Sequence, residues 1–388
     1  MKKFFEKHII TTGLAIFSMF FGAGNLLYPL AVGATSGPYT PLAMIGFLLT
    51  SACLPITGLV AMILFDGNYG AFFYRLGKPL GTFLIFCCML IIGPIIVIPR
   101  IVTLSQSMIA PFLPLQVLQS PFVFALLFLG ITFLLSYKES KIVDVLGNVI
   151  SPILLFSLAI IIIKGFFCAT QLTEPTMSAT ALLVKNFRVG YETLDLLGAI
   201  FFSSIILIIL KRTMGPHFAN RPQERALHGL RAGILGIGLL GIVYAGMSFL
   251  GAYFGQGLPH SDLFREIALR VLGPYGAIII STAVLGACLS TSIALSAVLA
   301  EYTQRELLKE KLGYVTCLAL VMLACIPLST FGLEYVMQLT AGVITYVGYP
   351  VLIALTFCNI LYKTIGFQWV KAPVGITFIV SLICYYWL

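Results

Sequence analysis

The sequence predicts an all-α integral membrane protein with about twelve transmembrane helices, and three observations carry that prediction. Of the 388 residues, 60% are hydrophobic and only 10% are charged. The mean hydropathy of +1.05 lies far above the range of soluble globular domains. The apolar segments are continuous runs of about 17 to 25 residues, which suits helices that cross a hydrocarbon core of ~30 Å and not the short alternating strands of a barrel.

Polar residues, glycine and proline separate the apolar runs and set the limits of the predicted helices. These limits are 8–32, 41–65, 79–110, 120–137, 145–167, 190–210, 228–254, 273–302, 313–328, 332–347, 348–363 and 371–388. Only Tyr346, Gly348, Tyr349 and Pro350 separate the tenth helix from the eleventh. No loop is long enough for a separate soluble domain, so residues 1–388 are predicted to form one transmembrane domain.

Lysine and arginine residues are unevenly divided between the two predicted sides of the membrane. The side of the N-terminus carries fifteen, the other side carries seven, including Lys363 and Lys371, and Arg100 lies within a helix. Because basic residues gather in cytoplasmic loops, both termini are predicted to be cytoplasmic, as in a multi-pass protein of a bacterial cytoplasmic membrane. The same bias explains the net charge of +9 better than a nucleic-acid partner does.

The first predicted helix is interrupted. Gly22, Gly24, Asn25 and Pro29 fall inside its apolar run. Irregular backbone at membrane depth is tolerated where it is buried in protein or lines a cavity. Freed carbonyls can coordinate a small cation, and freed N–H groups at a half-helix N-terminus attract a carboxylate. A small-residue packing face is the alternative, but a buried Asn25 amide needs partners and favours a binding site.

The sixth predicted helix is irregular as well, because it contains Gly190 and Asp195 among its polar positions. An offset of five helices gives the two irregular helices opposite orientations. The sequence therefore favours two inverted repeats at about 8–167 and 190–347, with two additional helices at 348–388. Irregular helices are common in membranes, so the absence of internal symmetry stays an alternative. Helix capping alone could explain Asp195, which is otherwise a candidate gate.

Two further groups of polar residues lie inside predicted helices. Ser290, Thr291 and Ser292 are consecutive in the eighth helix. Such hydroxyls often bond back to carbonyls of their own helix, but hard cations such as Na⁺ also prefer oxygen ligands. Arg100 follows Pro99 in the third helix, and its charge must face a partner or a cavity. Three roles are open for it: it could pair with a carboxylate, contact carbonyls freed by the neighbouring prolines, or act as a gate. Snorkelling to the membrane surface is the alternative for Arg100.

No catalytic residue set is found. The four histidines show no metal-ligand spacing, and no hydrolase or phosphate-loop motif accompanies them. The nine cysteines form no C-x-x-C pair and mostly lie in apolar runs. We therefore expect neither an enzyme nor an organic cofactor.

Several of these segments together resemble the branched-chain amino acid:cation symporter family. The matching residues are Phe21–Leu26, Gly93-Pro94 with Pro99-Arg100, Gly147-Asn148 with Ser151-Pro152, Gly190-Tyr191 with Thr193 and Asp195, and Leu289-Ser290-Thr291. The resemblance runs in order over nearly the whole chain. It implies a leucine-transporter-like fold with broken helices 1 and 6, and inward transport of leucine, isoleucine and valine together with Na⁺.

The resemblance also implies roles for individual residues. The expected Na⁺ ligands are the carbonyls of Ser18 and Phe21 and the hydroxyls of Ser290 and Thr291. Asn25 is expected either to bind a second ion or to brace the unwound segment. The substrate carboxylate is expected at the N–H groups of Gly22, Ala23 and Gly24. The substrate ammonium is expected at carbonyls of an unwound stretch around Ala199 to Ser203. The aliphatic side chain is expected against Phe20, Ile96, Phe201 and Phe202.

Two positions depart from the family pattern. Ser203 stands where a glycine is expected after the aromatic residues of the sixth helix, which restricts unwinding there. Ser107 stands where an acidic residue is expected, which weakens any ion coupling through that position.

The resulting prediction is a sodium-coupled symporter of branched-chain amino acids that works by alternating access. Its expected partners are the amino acid and membrane lipid, with no nucleic acid and no obligatory protein partner. A proton-coupled or uncoupled carrier of another small apolar amino acid is the alternative. A channel would need a continuous polar lining, and a scaffold without transport would leave the intramembrane polar clusters without a role.

Overall fold

The computed structural model describes residues 7–138, 145–214, 222–273 and 276–387, and the side chains of these ranges except 7–8, 208–214 and 222–226. Four basic residues used in the orientation argument lie outside the described residues, namely Lys2, Lys3, Lys141 and Arg221. Within the described ranges the regular structure consists of helices only.

The helices are, in chain order, α1 (Lys7–Phe20), α2 (Ala23–Ser36), α3 (Thr40–Leu48), α4 (Leu54–Leu64), α5 (Tyr69–Phe73), α6 (Lys78–Leu90), α7 (Val97–Ile109), α8 (Gln116–Gln119), α9 (Pro121–Ser136), α10 (Ser151–Cys168), α11 (Ala179–Val189), α12 (Asp195–Met214), α13 (Pro222–Phe254), α14 (Leu263–Leu272), α15 (Gly276–Tyr302), α16 (Tyr314–Cys325), α17 (Leu333–Thr340), α18 (Tyr349–Ile365) and α19 (Lys371–Trp387). Tight single turns lie at Gly37–Tyr39, Tyr74–Leu76, Ala110–Phe112, Gly190–Thr193 and Leu328–Thr330. Wide helical turns lie at Leu49–Cys53, Ile91–Ile95, Leu146–Ile150, Thr303–Leu307 and Ile344–Gly348.

Two membrane helices are broken in the middle. The first consists of α1 and α2 and is interrupted at Phe21 and Gly22. The sixth consists of α11 and α12, which are separated by the turn Gly190–Thr193 and by Leu194 in a left-handed conformation (φ 61°). The predicted breaks in helices 1 and 6 are therefore confirmed. The predicted unwound stretch around Ala199 to Ser203 is wrong, because these residues lie inside α12.

The third membrane helix is kinked where glycine and proline meet. Gly93 (φ −96°, ψ −116°) and Ile96 (φ −129°, ψ −64°) leave the helical conformation between α6 and α7. Pro94 lacks the N–H that would bond to the preceding turn, so the chain bends here. Helix α7 therefore begins after the kink, next to the two broken helices. Arg100 lies in its first turns.

The outer half of the first helix is fixed to α13 by small residues. A Cβ on Gly33 would collide with the Ser248 carbonyl, and one on Gly251 would collide with the Leu30 carbonyl. Only glycine therefore permits this close approach of two backbones, as at many interfaces between membrane helices. Ser248 Oγ also donates to the Pro29 carbonyl at 2.7 Å. Helix α2 is thus held against a long neighbouring helix.

The predicted count of twelve membrane helices is not confirmed. Seven of the described helical stretches are long and apolar enough to cross a membrane, and four are shorter apolar helices. One long stretch, Ala23–Leu64, reverses direction at Gly37–Tyr39 and joins α2 to the second membrane helix. If the halves of each broken helix are counted together, the described residues make eleven crossings.

The difference arises at the predicted boundary between the tenth and eleventh helices. Helix α17 ends at Thr340, and after a turn at 341–342 the chain continues through Ile344–Gly348 into α18, giving one apolar stretch from Leu333 to Ile365. Pro350 does not end it, because the wide turn at Ile344–Gly348 directly precedes this proline and interrupts the regular bonding pattern where its N–H is missing.

The two ends of the described chain lie on opposite sides of the helix bundle. Arg75, on the predicted side of the N-terminus, stacks on the Tyr362 ring at 3.6 Å and donates to the Phe367 carbonyl at 3.4 Å. At the other end of α19, Tyr385 packs on Tyr346 with 6.0 Å between ring centroids. Tyr346 in turn shares a pocket with basic residues of α11 on the opposite side. The side of the membrane on which each terminus lies stays a prediction.

The inverted repeats remain a proposal with revised limits. The expected boundary at 347 falls inside a continuous helical stretch, so we propose repeats of about 7–168 and 179–365 with α19 as the one appended helix. Each proposed repeat then begins with its broken helix, at 7–36 and at 179–214.

Candidate functional site

The break in the first helix leaves backbone groups available at membrane depth. Gly22 is extended (φ −108°, ψ −159°), and its N–H bonds to the Phe20 carbonyl at 2.8 Å. Helix α2 begins at Ala23, so the N–H groups of its first turn have no partners within the helix. These groups carry the positive end of a helix dipole and face the space between the two broken helices, where Gly22, Ala23 and Gly24 line a cavity.

A cluster of oxygen atoms joins α1 to α15. Ser290 Oγ lies 2.7 Å from the Ser18 carbonyl and 2.9 Å from the Ala287 carbonyl. Thr291 Oγ1 lies 3.2 Å from the same Ala287 carbonyl. A Cβ on Gly22 would stand 2.9 Å from Thr291 Oγ1, so the unwound backbone passes directly beside this hydroxyl. The predicted residues Ser18, Ser290 and Thr291 are thus brought together, with Phe21 at the adjoining break.

The Ala287 carbonyl belongs to this cluster and was not predicted from the sequence. A signal for it exists, because hydroxyls three and four residues along a helix point back to the same carbonyl. Ser290 and Thr291 stand at those spacings from Ala287. Neutral hydroxyl and carbonyl oxygens of this kind are suitable ligands for a hard monovalent cation.

Arg100 connects the third helix to the break in the sixth. Its Nη1 donates to the Glu192 carbonyl at 2.7 Å and its Nη2 to the Thr193 carbonyl at 3.3 Å. These carbonyls end the turn that closes α11, where Leu194 stops the helix from continuing. Tyr28 Oη on α2 lies 3.5 Å from Nη1. Arg100 is only 3% exposed, so it does not snorkel to the membrane surface.

Asn25 and Asp195 link the two breaks to each other. Asn25 Nδ2 donates to the Phe20 carbonyl at 2.7 Å and lies 3.2 Å from both carboxylate oxygens of Asp195. Tyr244 Oη donates to Asp195 Oδ2 at 3.1 Å. Asn25 is 2% exposed and Asp195 is 5% exposed. Asp195 opens α12 and does more than cap it, because its carboxylate is shared with side chains of α2 and α13.

A small cavity, with a volume of about 30 Å³, lies between the breaks. Its lining includes nine residues singled out from the sequence, namely Phe20, Gly22, Ala23, Gly24, Asn25, Arg100, Asp195, Phe202 and Thr291. The apolar wall is built around Phe20 and Phe202, whose rings meet edge to face with centroids 5.5 Å apart. The residues that the sequence argument missed are Met19, Ile92, Val97, Ile101, Thr193, Leu194, Gly198 and Leu295.

Four predicted binding residues do not line this cavity, namely Ile96, Ala199, Phe201 and Ser203. Because α12 is a regular helix with 3.6 residues per turn, the cavity receives Gly198 and Phe202 and not their neighbours. Phe201 instead packs on Tyr69 and Phe73, with ring centroids 5.5 and 6.1 Å away. The Ser203 hydroxyl donates to the Ile200 carbonyl within its own helix.

Solved structures with the same arrangement define the fold. The chain is similar to MhsT in complex with L-phenylalanine, with a TM-score of 0.63, 18% identity and coverage of 97% of this chain and 98% of that chain. It is also similar to a Na⁺-coupled sialic acid symporter in a substrate-bound outward-open state, with a TM-score of 0.60, 11% identity and coverage of 98% and 90%. The fold, with its two broken helices, is of the leucine-transporter type.

Sequence comparison gives the family. The model of the branched-chain amino acid transport protein family matches residues 5–386, and the chain belongs to this family. The branched-chain amino acid permease BraB of Bacillus subtilis is 29% identical over 375 residues, which cover 92% of this chain and 81% of the relative. The branched-chain amino acid transport system 3 carrier protein of Pseudomonas aeruginosa is 29% identical over 367 residues, with coverage of 91% and 81%. The protein is thus a multi-pass membrane transporter and not an enzyme.

Proposed function

We propose that this protein is a sodium-coupled symporter that imports leucine, isoleucine and valine by alternating access. The observation that carries the proposal is the 2.7 Å contact between Ser290 Oγ and the Ser18 carbonyl. The contact gathers oxygen ligands from the broken first helix and from α15. A cation held there would draw the two helices together and stabilise the break.

The cavity supports an aliphatic amino acid as the substrate. Its carboxylate would be held by the N–H groups of Gly22, Ala23 and Gly24 at the start of α2. The ammonium would be received near the break of the sixth helix, at the Asp195 carboxylate, and not at Ala199 to Ser203. The side chain would pack against an apolar wall of Phe20, Ile92, Val97, Ile101, Phe202 and Leu295.

A second cation is proposed between Asn25 and Asp195. The amide Nδ2 of Asn25 now bridges the Phe20 carbonyl and the Asp195 carboxylate, which are three oxygen atoms that a cation would also bring together. Amide nitrogen and oxygen exchange places by a rotation of the side chain. Turning Oδ1 of Asn25 toward these oxygens would complete an oxygen cage, and Asp195 would supply its negative charge.

Coupling follows from shared elements. Both proposed ions use carbonyls of the broken first helix, and the substrate uses N–H groups of the same break. An ion that orders this break raises the affinity for substrate, and by linkage the substrate raises the affinity for the ion. A bacterial cytoplasmic membrane is the proposed location, since the relatives named above are bacterial proteins.

A proton-coupled carrier is the second candidate. One observation favours it, namely the buried Asp195 carboxylate beside the cavity, because buried acidic residues of membrane helices often carry protons through transporters. In that case Asp195 would be charged and discharged during the cycle, and the hydroxyl cluster around Ser290 would be a packing feature.

Uptake into proteoliposomes tests the proposal. Labelled leucine is supplied with an inward Na⁺ gradient, with an inward proton gradient, or with neither. We expect accumulation with the Na⁺ gradient only. Accumulation with the proton gradient alone would favour the second candidate, and uptake that equilibrates without either gradient would contradict symport. Competition by isoleucine and valine, but not by glycine or lysine, is expected from the apolar wall.

A further inference from the structure

We propose that Arg100 binds the α-carboxylate of the transported amino acid and thereby makes the carrier select carboxylate-bearing substrates. The inference rests on the proposed function, because it assigns one more contact in the same cavity. It starts from the state of the Arg100 side chain, which is buried and lines that cavity.

The guanidinium of Arg100 makes no ion pair with a carboxylate in the described part of the chain. No carboxylate there lies within 4.0 Å of its nitrogens. Its two clear bonds are to the carbonyls of Glu192 and Thr193. The carboxylates of Glu192 and Asp195 attract the guanidinium electrostatically but are not bonded to it. A buried charge without a directly bonded anion is costly within a membrane, so a substrate carboxylate that bonds to it would be favoured there.

Unused donors lie on one edge of the guanidinium. Arg100 Nε is buried and has no hydrogen-bond partner among the described residues. Nη2 carries two N–H groups and makes one long bond of 3.3 Å to the Thr193 carbonyl. Nε and Nη2 lie on the same edge of the guanidinium plane, so this edge can offer two parallel N–H groups. Two parallel N–H groups are the geometry with which arginine binds a carboxylate.

The free edge borders the backbone that is proposed to hold the same carboxylate. A Cβ on Gly24 would stand 3.2 Å from Arg100 Nη2. One carboxylate could therefore accept from the α2 backbone and from Arg100 together. Asp195, the acidic residue of the cavity, is meanwhile engaged by Asn25 and Tyr244. The cavity thus has a cationic and an anionic side, and this pattern matches a zwitterion.

A purely structural role for Arg100 is the competing explanation. Its bonds to Glu192 and Thr193 could serve only to hold the break in the sixth helix. That role predicts a general loss of binding when Arg100 is changed. A carboxylate contact predicts a loss that depends on whether the ligand carries a carboxylate.

Equilibrium binding to the purified protein at saturating Na⁺ separates the two explanations. The ligands are leucine, 4-methylpentanoate, which lacks the ammonium, and 3-methylbutylamine, which lacks the carboxylate. The variants are Arg100→Gln and Arg100→Lys, with Arg265→Gln as the matched control. Arg265 lies in an outer segment, where it pairs with Asp262 at 2.9 Å.

We expect Arg100→Gln to weaken the binding of leucine and of 4-methylpentanoate by roughly 10- to 100-fold, which is the usual effect of removing a hydrogen-bonded charged partner. Binding of 3-methylbutylamine should stay within twofold of the wild-type value. Arg100→Lys should fall between, because lysine keeps the charge but not the paired N–H groups. Arg265→Gln should bind all three ligands like the wild-type protein.

Equal losses for leucine and the amine, or unchanged leucine binding, would overturn the carboxylate role. If thermal unfolding measurements show that Arg100→Gln is not folded, Arg100→Lys provides the test. An affinity ratio of leucine to 3-methylbutylamine that equals the wild-type ratio would then overturn the carboxylate role. A wild-type protein that binds no branched-chain amino acid with Na⁺ would instead refute the proposed function itself.

Discussion

Gly22→Ala is expected to weaken sodium binding by a steric contact with Thr291. The added Cβ would stand 2.9 Å from Thr291 Oγ1, 3.2 Å from Cγ2 and 3.3 Å from Cβ. Favourable carbon contacts lie near ~3.5–4.0 Å, so the break and α15 would have to separate by about half an ångström. The extended conformation of Gly22 is one that alanine adopts freely. The effect is therefore one of packing at the proposed ion site and not of backbone strain.

The size of the effect follows from the cost of overpacking. Adding a methyl group to a well-packed site costs ~1–3 kcal/mol. If the ion-bound state requires the closest packing, this energy appears as a roughly 5- to 150-fold rise in the Na⁺ concentration needed for half-maximal leucine uptake. The assay is uptake into proteoliposomes at increasing Na⁺ and fixed leucine. Gly130→Ala in α9 is the control, since no atom lies within 4 Å of its added Cβ.

A double-mutant cycle makes the prediction refutable. Thr291→Ala removes both nearest atoms, so the cost of Gly22→Ala should largely disappear in the double variant. We expect a coupling energy of about 1 kcal/mol or more, as for residues in direct contact. Strictly additive effects, or a Gly22→Ala protein with the wild-type Na⁺ requirement, would show that the break does not pack against the ion site as described.

Three further outcomes are expected. Ser290→Ala should raise the half-saturating Na⁺ concentration about fivefold, since one hydroxyl contact contributes ~1 kcal/mol; leucine uptake at saturating Na⁺ should recover, and failure to recover would indicate a folding defect. Asp195→Asn should lower Na⁺-driven uptake at least about tenfold, because it removes a buried charge that organises both breaks; normal uptake would exclude Asp195 from ion binding. Phe202→Ala should shift competition from leucine toward phenylalanine. Phe201→Ala should instead lower the free energy of unfolding by ~3–5 kcal/mol, without changing the substrate preference. Equal competition profiles for the two variants would contradict the assignment of Phe202 to the cavity wall.

The break in the first helix could be predicted from sequence because its cause is local. Gly22 and Gly24 remove the side chains that stabilise a helix, and Asn25 introduces an amide that bonds to the last carbonyl of α1. The break in the sixth helix was expected in the right helix but about one turn too late. It is set by Leu194, which adopts a left-handed conformation that leucine rarely takes. Tertiary contacts, including those of Arg100, hold it there.

The cavity wall was only partly predictable for a related reason. Phe20 and Phe202 were identified, but a shift in where α12 begins changes which of its residues face the cavity. Phe201 and Phe202 differ by one position and by about 100° around the helix. Sequence gives no signal that separates two adjacent phenylalanines until the start of the helix is known. In the third helix it is likewise the start of α7, after the kink at Gly93 and Ile96, that decides which residues line the site. Ile92 and Val97 line it, and Ile96 does not.

The continuous stretch from Leu333 to Ile365 changes how the charges of the chain are distributed across the membrane. If this stretch crosses the membrane once, Lys363 and Lys371 lie on the side of Arg75, and the predicted balance of basic residues changes from fifteen against seven to seventeen against five. The stronger asymmetry gives the insertion machinery a clearer electrostatic preference for one orientation. The same single crossing would place the aromatic residues Tyr385 and Trp387 at the opposite interface, where such rings anchor a helix among lipid headgroups.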